Sequence, residues 1–349
     1  MPAEWAPHRA TWLSWPHHEP DWPGKLGPIP WVYAEIVRVI AAHEPVEVLC
    51  HDEAVRLSAQ SALEANGVRT DRVRLHIVPT DRVWLRDSAP TGVIDAAGHV
   101  VLLNWAYNAW AKYDNFAADA AVGAGMAGIT GLGLEQPRRT DSSERLVLEG
   151  GGIDVNGRGL VLVTEEWLLT DIQVRNPGLG RRDYEEAFAT WLGATETIWL
   201  GEGCVGDDTH GHVDDVARFV TPDTVVLAVE ADPSDDNHSR SQDNRRRLQL
   251  ASRNPAIGPL RIVELPFPRA VTMRGERLPA SYANFYMGNG FVIVPTFNDA
   301  NDRVALNTLM SLLPHHTVIG IHALDLVWGL GTLHCLTQQE PKGRTVGGG

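Results

Sequence analysis

Two periods run through the hydrophobic and polar positions of this chain. Between Trp31 and His43 the apolar residues Val32, Ile36, Val39 and Ile40 fall at helical spacing, behind a proline at position 30 that suits a helix start. Val46 to Cys50 reads as a strand, which makes Cys50 a core residue. Asp52 is placed to cap a second helix that stops near Gly67. Val73 to Val78 alternates with period two and predicts another strand.

From there the pattern repeats. Thr91 to Asp95 and His99 to Asn104 predict a hairpin, followed by a small-residue helix and a short strand. Val147 to Val155 and Leu160 to Val163 pair around Asn156-Gly157, with a helix from Tyr184 to Leu192 and a strand from Thr197 to Leu200. Val216 to Val220 and Val225 to Val229 make a third hairpin, before a helix at Asn244 to Leu250 and a strand at Arg261 to Leu265. Ala283 to Met287 and Phe291 to Val294 make a fourth, before Arg303 to Leu313 and Thr317 to Ile321. Each unit reads strand–strand–helix–strand. The N-terminal helix and strands, with a last strand carrying Cys335, supply a fifth. Five such units close most simply into a ring. The expected fold is therefore α/β, a pseudo-fivefold five-bladed propeller forming one domain over 1–349, closed by its N- and C-terminal segments.

The repeat gives the polar residues a common address. Asp87 precedes the first hairpin, Glu149 lies in the first strand of the second, and His212 and Asp214 open the third. Asn284 opens the fourth, and Cys335 takes the corresponding strand of the closing unit. Equivalent positions around a ring point at one axis, so these residues are expected to meet. His212 and Asp214, two apart, are expected on one face of a strand.

Composition narrows the chemistry. The formal net charge of −14 argues against nucleic acid or an anionic membrane as partner and is compatible with a small cation. Three cysteines far apart do not make a disulfide framework, which points to a reducing compartment. The opening Met-Pro-Ala-Glu-Trp lacks the features of a signal peptide, and no apolar run is long enough for a membrane span. The expected location is cytoplasmic. Trp5, Trp12, Trp15, Trp22 and Trp31 crowd a proline-rich opening segment, for which core packing is the expected role.

A lone cysteine is most often a small core hydrophobe. Cys335 departs from that expectation because a distant His and several carboxylates accompany it, as in thiol enzymes whose parts meet only in the fold. Two carboxylates around one pocket suit the planar fork of a guanidinium, a Trp face such as Trp84 could stack on the same cation, and a thiolate then has an electrophilic carbon to attack. Two other readings compete. Cys204, Asp207, Asp208, His210, His212 and Asp214 are dense enough to suggest a metal-dependent hydrolase, and the tryptophans alone would suit a sugar or peptide groove.

The motifs jointly resemble one family. Met-Pro-Ala-Glu-Trp with Thr11-Trp12, Trp84-x-Arg86-Asp87, Glu149-Gly150-Gly151-Gly152-Ile153-Asp154, Gly211-His212-Val213-Asp214, Tyr282-x-Asn284-Phe285-Tyr286, Val294-Pro295 and His334-Cys335-Leu336-Thr337-Gln338-Gln339-x-Pro341 look like agmatine deiminases and bacterial peptidyl-arginine deiminases. The resemblance covers nearly the whole chain and implies the five-bladed fold of guanidino-group-modifying enzymes. It implies Cys335 as nucleophile, His212 as general acid/base, Asp87 and Asp214 holding the guanidinium, Glu149 supporting His212 and Trp84 walling the pocket. Asn284 joins the substrate-binding set.

The expected reaction is conversion of agmatine to N-carbamoylputrescine and ammonia, in polyamine and arginine metabolism, with no cofactor and no metal. The expected partner is a small cationic guanidine, and a homo-oligomer is compatible with this reading. A peptidyl-arginine, a guanidino acid or a specialised metabolite are the alternative substrates. A pocket edged by Asp87, Glu149 and Asp214, with Asp207 and Asp208 at its mouth, is expected to be strongly negative and to favour a second positive charge. Arg86, if its segment is extended, points away from Asp87.

Overall fold

A computed structural model describes residues 1–344; the last five residues of the expected single domain lie outside the described residues. Five small sheets carry the chain, with a two-stranded hairpin (Thr272–Met273 and Glu276–Arg277) beside them. Four follow one plan. A short antiparallel pair is followed by a helical crossover to a parallel third strand: Thr91–Ile94, Val100–Leu103 and Gly133–Glu135 are the first such trio. The others are Asp154–Val155, Leu160–Thr164 and Glu196–Leu200; Ala217–Thr221, Thr224–Val229 and Arg261–Pro266; and Tyr286–Gly288, Phe291–Thr296 and Thr317–His322. In the remaining sheet His8–Ser14 lies antiparallel to Gln338–Pro341 and parallel to Val46–Cys50, with Val73–Ile77 outside it. The two ends of the chain thus share a sheet.

Local chemistry explains most of these elements. The helix Ile29–Ala41 buries Tyr33, Ile36, Val37 and Ile40 and leaves Trp31 about half exposed at 55%. Each fully buried aliphatic side chain contributes about 1.5–3 kcal/mol. Asp52 caps the helix Glu53–Ala65 by accepting from the Val55 amide at 2.8 Å. At the Asn156-Gly157 turn the Asn156 side chain accepts from the amides of Arg158 and Leu160, and Gly157 takes a φ of +70° that favours glycine. Cys50 is buried, and so are Trp12, Trp15 and Trp22, which makes the opening segment core rather than a groove.

The strand assignments fail at one recurring place. Asp87, Glu149, His212, Asp214 and Cys335 do not lie on strands. A short helical turn precedes a first strand at each place: Leu85–Ser88, Gly150–Gly152 (with Glu149 at its start), Val213–Asp215 (with His212 at its start) and Leu333–Leu336. Asn284 likewise precedes its strand. The expectations that Glu149 and Cys335 are strand residues, and that His212 and Asp214 share a strand face, are corrected accordingly. The glycines give the reason at 150–152. A Cβ on Gly150 would meet the Arg86 carbonyl at 2.3 Å, one on Gly151 would meet His212 Nδ1 at 2.6 Å, and one on Gly152 would meet the Trp167 ring at 2.4 Å. Only a side-chain-free turn lets these segments approach so closely.

Candidate active site

These turns pack on one another in succession. Leu333–Leu336 touches Leu85–Ser88, which touches Gly150–Gly152, which touches Val213–Asp215. The segment 281–284 completes the circuit: Ser281 Oγ donates to the Asp215 carbonyl at 2.8 Å, and Asn284 Nδ2 donates to Cys335 Sγ at 3.2 Å. Residues separated by up to about 250 positions, from Asp87 to Cys335, are brought together this way.

Cys335 is almost wholly buried, at 8% exposure, and still reaches a cavity. Its turn is clipped by Asn284, whose Oδ1 accepts from Thr332 Oγ1 at 2.7 Å and from the His334 amide at 3.0 Å. Asn284 itself does not line the cavity, and of the acids expected to edge it Asp87 does while Glu149 and Asp214 lie behind the wall, as does His212. Sγ lies 3.7 Å from Asp214 Oδ2. Burial pushes the Cys335 thiol well above its ordinary value, and Asp214, Asp215 and Asp87 push it further.

His212 stands between carboxylates. Its Nδ1 is 3.7 Å from Asp87 Oδ1, its Nε2 is 3.5 Å from Glu149 Oε2, and neither nitrogen has a partner in hydrogen-bond geometry. The Trp167 ring meets it edge-on at 5.5 Å. Burial disfavours the charged imidazole, but Asp87, Glu149 and Asp214 outweigh that and raise it to about 9. Burial also raises Asp87, to about 6, with Asp214 and Glu149 adding and His212 opposing. Asp87 is held by the Gly151 amide at 3.0 Å and Trp110 Nε1 at 2.9 Å. Burial would raise Glu149 as well, yet Arg175 and His212 hold it at about 2. Arg175 Nε lies 3.1 Å from one Glu149 oxygen, and Trp167 Nε1 donates to the other at 2.7 Å. Burial opposes ionisation of Asp214 too, but the hydrogen bond to His334 and the nearby imidazoles keep it below the usual carboxylate range. Its Oδ1 is buried without a partner.

The cavity above Cys335 and Asp87 has a volume of about 420 Å³. Trp84 and Trp110 wall it, the opening segment contributes His18, Pro20 and Asp21, and Asp208 and Thr209 form another side. Trp84 packs against Trp22 with ring centroids 5.7 Å apart, and a Cβ on Gly331 would strike it at 2.7 Å, so the glycine makes room for the wall. The strongly negative pocket expected from sequence is corrected. Glu149 is matched by Arg175 and Asp214 by His334, while Arg82 lines the wall with its fork committed to Asn115 and its face over Tyr113 at 4.6 Å. Asp208 is on the wall, paired with Lys112 and Tyr113. Asp207 is not, since it caps the turn before His212 by accepting from the amides of Thr209, Gly211 and His212. Arg86 does turn away from the cavity, but from a helical turn rather than an extended segment. It binds Gln339, Glu4 and the His334 carbonyl.

The residues of the metal reading separate. His210 bonds Thr170 at 3.0 Å, Cys204 Sγ faces the Val205 carbonyl at 3.6 Å, and His212 faces Asp87 and Glu149. Among the described residues no group of three His, Cys, Asp or Glu could hold a metal ion. Sequence reasoning gave no role to Glu4, His334, Arg175, Arg218, Trp110 or Trp167. The signal for Glu4 and His334 was present in the quoted motifs; for Arg175 and Trp167 only their buried contacts with Glu149 reveal them.

The chain is similar to known proteins over nearly its whole length. It is 34% identical to an agmatine deiminase of Ectopseudomonas mendocina, covering 98% of this chain and 95% of that one. The solved agmatine deiminase of Enterococcus faecalis superposes with a TM-score of 0.89 at 29% identity, over 98% of this chain and 95% of that one. An agmatine deiminase of C. jejuni with substrate bound gives 0.86 at 27% identity, over 98% and 96%. The mixed α/β fold is that of these structures. With residues 1–341 matching it, the chain belongs to the Porphyromonas-type peptidyl-arginine deiminase family.

Proposed function

We propose that this protein is a cysteine-dependent hydrolase that deiminates a small cationic guanidine, agmatine before others, to N-carbamoylputrescine and ammonia. The observation that carries the reading is a buried cysteine sharing a cavity with Asp87, beside an Asp214 whose Oδ1 is uncommitted and a His212 with neither ring nitrogen in hydrogen-bond geometry. Asp87 and Asp214 take the guanidinium, and its charge relieves the repulsion that holds the Cys335 thiol up. The thiol proton leaves to solvent as the cation binds. The thiolate adds to the guanidinium carbon, imidazolium His212 protonates one amino group, and ammonia departs, leaving a thiouronium on Cys335. Neutral His212 then takes a proton from water as the water adds. Collapse of that adduct breaks the C–S bond, releases the ureido product with one proton to solvent, and returns the thiolate. Glu149 and Arg175 fix His212, and Asn284 fixes the turn of Cys335.

The substrate supplies its own activating charge, so the reaction requires no cofactor. The cyclic contact of the short turns supports a five-bladed α/β propeller forming one domain. The absence of a long apolar helix among the described residues fits a cytoplasmic setting. The relatives named agmatine deiminase favour agmatine.

The test is ammonia release from a panel of agmatine, arginine, guanidinobutyrate, an arginyl peptide and guanidine. Agmatine is expected to lead, and Cys335→Ala to abolish turnover of every substrate. Activity near wild type in that variant sinks the nucleophile assignment.

A further inference from the structure

One buried histidine stands behind the proposed chemistry without touching the cavity. His334, 2% exposed and adjacent in sequence to Cys335, is held at both ring nitrogens. Nδ1 lies 2.7 Å from Asp214 Oδ2 and Nε2 lies 2.8 Å from Glu4 Oε2. An ionised carboxylate only accepts hydrogen bonds, so a ring facing two of them must donate from both nitrogens. Each carboxylate has a reason to stay ionised. Glu4 is also faced by Arg218 at 2.8 Å, by Arg86 at 3.3 Å and by the Met287 amide at 2.8 Å, and is held well below the usual carboxylate range. Asp214 is supported by His212 and the more distant Arg218, and its Oδ2 lies 3.7 Å from Cys335 Sγ.

We infer that His334 is a positioning residue, an imidazolium wedged between Glu4 and Asp214 that donates to both and so aims Asp214 at the guanidinium. The inference rests on the deiminase reading of the site and adds a component to it. Without that cation, Asp214 would sit buried beside Asp215 and Asp87 with only His212 and the more distant Arg218 in support. Neutral Asp214 loses its attraction for the substrate. Glu4, Arg86 and Arg218 then have a purpose beyond packing: they hold the far nitrogen of the wedge. The groups that face His334 and Asp214 from the surrounding elements are Glu4, Arg86, Cys335, Arg218, His212, Asp215 and Asp87. Among them Glu4 and Asp214 alone contact the His334 ring nitrogens.

The experiment has two arms. In the first, His334→Gln and Glu4→Gln are assayed for kcat/KM against pH with whichever guanidine the wild type turns over. Removing an opposite charge shifts a buried carboxyl up by about 1–3 pH units, so in His334→Gln Asp214 is expected to join Asp87 in the acid limb, which steepens from one proton toward two. With it comes a further loss in kcat/KM below pH 6, about several-fold at pH 5, and Glu4→Gln is expected to act in the same direction, less strongly. A variant that merely loosens the fold would lower the melting temperature and leave the slope of the limb as it was; an acid limb of unchanged slope in His334→Gln overturns the inference. The second arm needs neither substrate nor folded variant. Nitrogen-15 shifts of His334 in the wild-type protein at neutral pH should show a proton on both ring nitrogens, and a single-proton tautomer overturns the inference whatever the substrate proves to be.

Discussion

The two faces of Asp214 are built on opposite rules. Toward His334 each charged group has a partner of opposite sign within 3.3 Å: His334 with Glu4, Glu4 with Arg86 and Arg218, and Arg218 in turn with Asp154, although Arg218 Nη2 is out of hydrogen-bond geometry. Toward the cavity the groups are equally buried and left wanting. Both nitrogens of His212 and Oδ1 of Asp214 lack hydrogen-bond partners, and Asp87 resists ionisation. Buried polar atoms are ordinarily satisfied, and leaving them otherwise is costly. The contrast therefore separates what holds the fold from what waits for a ligand. The paired face supports stability and position; the unpaired face is completed by a cation that the protein does not itself supply.

The largest effect expected from this division lies in activity on the unpaired face. His212→Ala should lower kcat by roughly 10²–10⁴-fold, since proton delivery to ammonia and activation of water both fail. In the wild type, kcat/KM should rise as Asp87 ionises near about 6 and fall as His212 loses its proton near about 9. His212 also contributes to stability with a definite sign. Its folded pKa is raised, so the stabilisation is present below its unfolded value of 6.5 and is lost as pH rises through about 9, which a melting series across that range would record. A rate profile flat from pH 5 to 10 would break the assignment of both limbs.

The next effect belongs to the paired face and should appear in stability. Arg218→Met leaves Glu4 and Asp154 with a lost partner each, and removing one member of a buried pair costs about 3–5 kcal/mol. Chemical denaturation would measure it; a loss below about 1 kcal/mol would mean that the network is replaceable packing. Asp87→Asn tests the opposite sign. An acid whose folded pKa is raised costs stability at pH values above it, and at pH 8 the amide is expected to gain on the order of 3 kcal/mol while activity collapses. A variant that is both inactive and less stable would erase the distinction between the faces.

The smallest effect concerns specificity. With Glu149, Asp214 and Asp208 already matched by Arg175, His334 and Lys112, the preference for a second positive charge rests on Asp21 against Arg82. Agmatine should exceed arginine by about tenfold in kcat/KM, roughly 1.4 kcal/mol. Equal rates would show that the wall is electrostatically neutral to the distal group.

The sequence was legible where a period or a turn residue repeats. The hairpin at Asn156-Gly157, the capped helix after Asp52 and the parallel strand Thr317–His322 follow from patterns a few residues long. The short turns carrying Asp87, Glu149, His212 and Cys335 did not show, because three or four residues are too few for any period. Their conformation is set by close approach to chain elsewhere, as Gly151 against His212 illustrates. The site residues were readable as types and motifs. The pairing of Glu4 with His334 was not, for it joins positions 330 apart and leaves no local trace.

The antiparallel pairing of His8–Ser14 with Gln338–Pro341 has a consequence for synthesis of the chain. Chains emerge N-terminus first at about 5–20 residues per second, so the first strand made waits tens of seconds for its neighbour, exposing an unsatisfied edge meanwhile. During that wait Asp87, Glu149 and His212 have all been made, but Cys335, the proposed nucleophile, has not. The same late segment that seals the sheet delivers Cys335 to its partners. A nascent chain stalled before that segment would therefore have an open edge inviting aggregation and no Cys335 thiol at the site, so activity reports on synthesis of that segment.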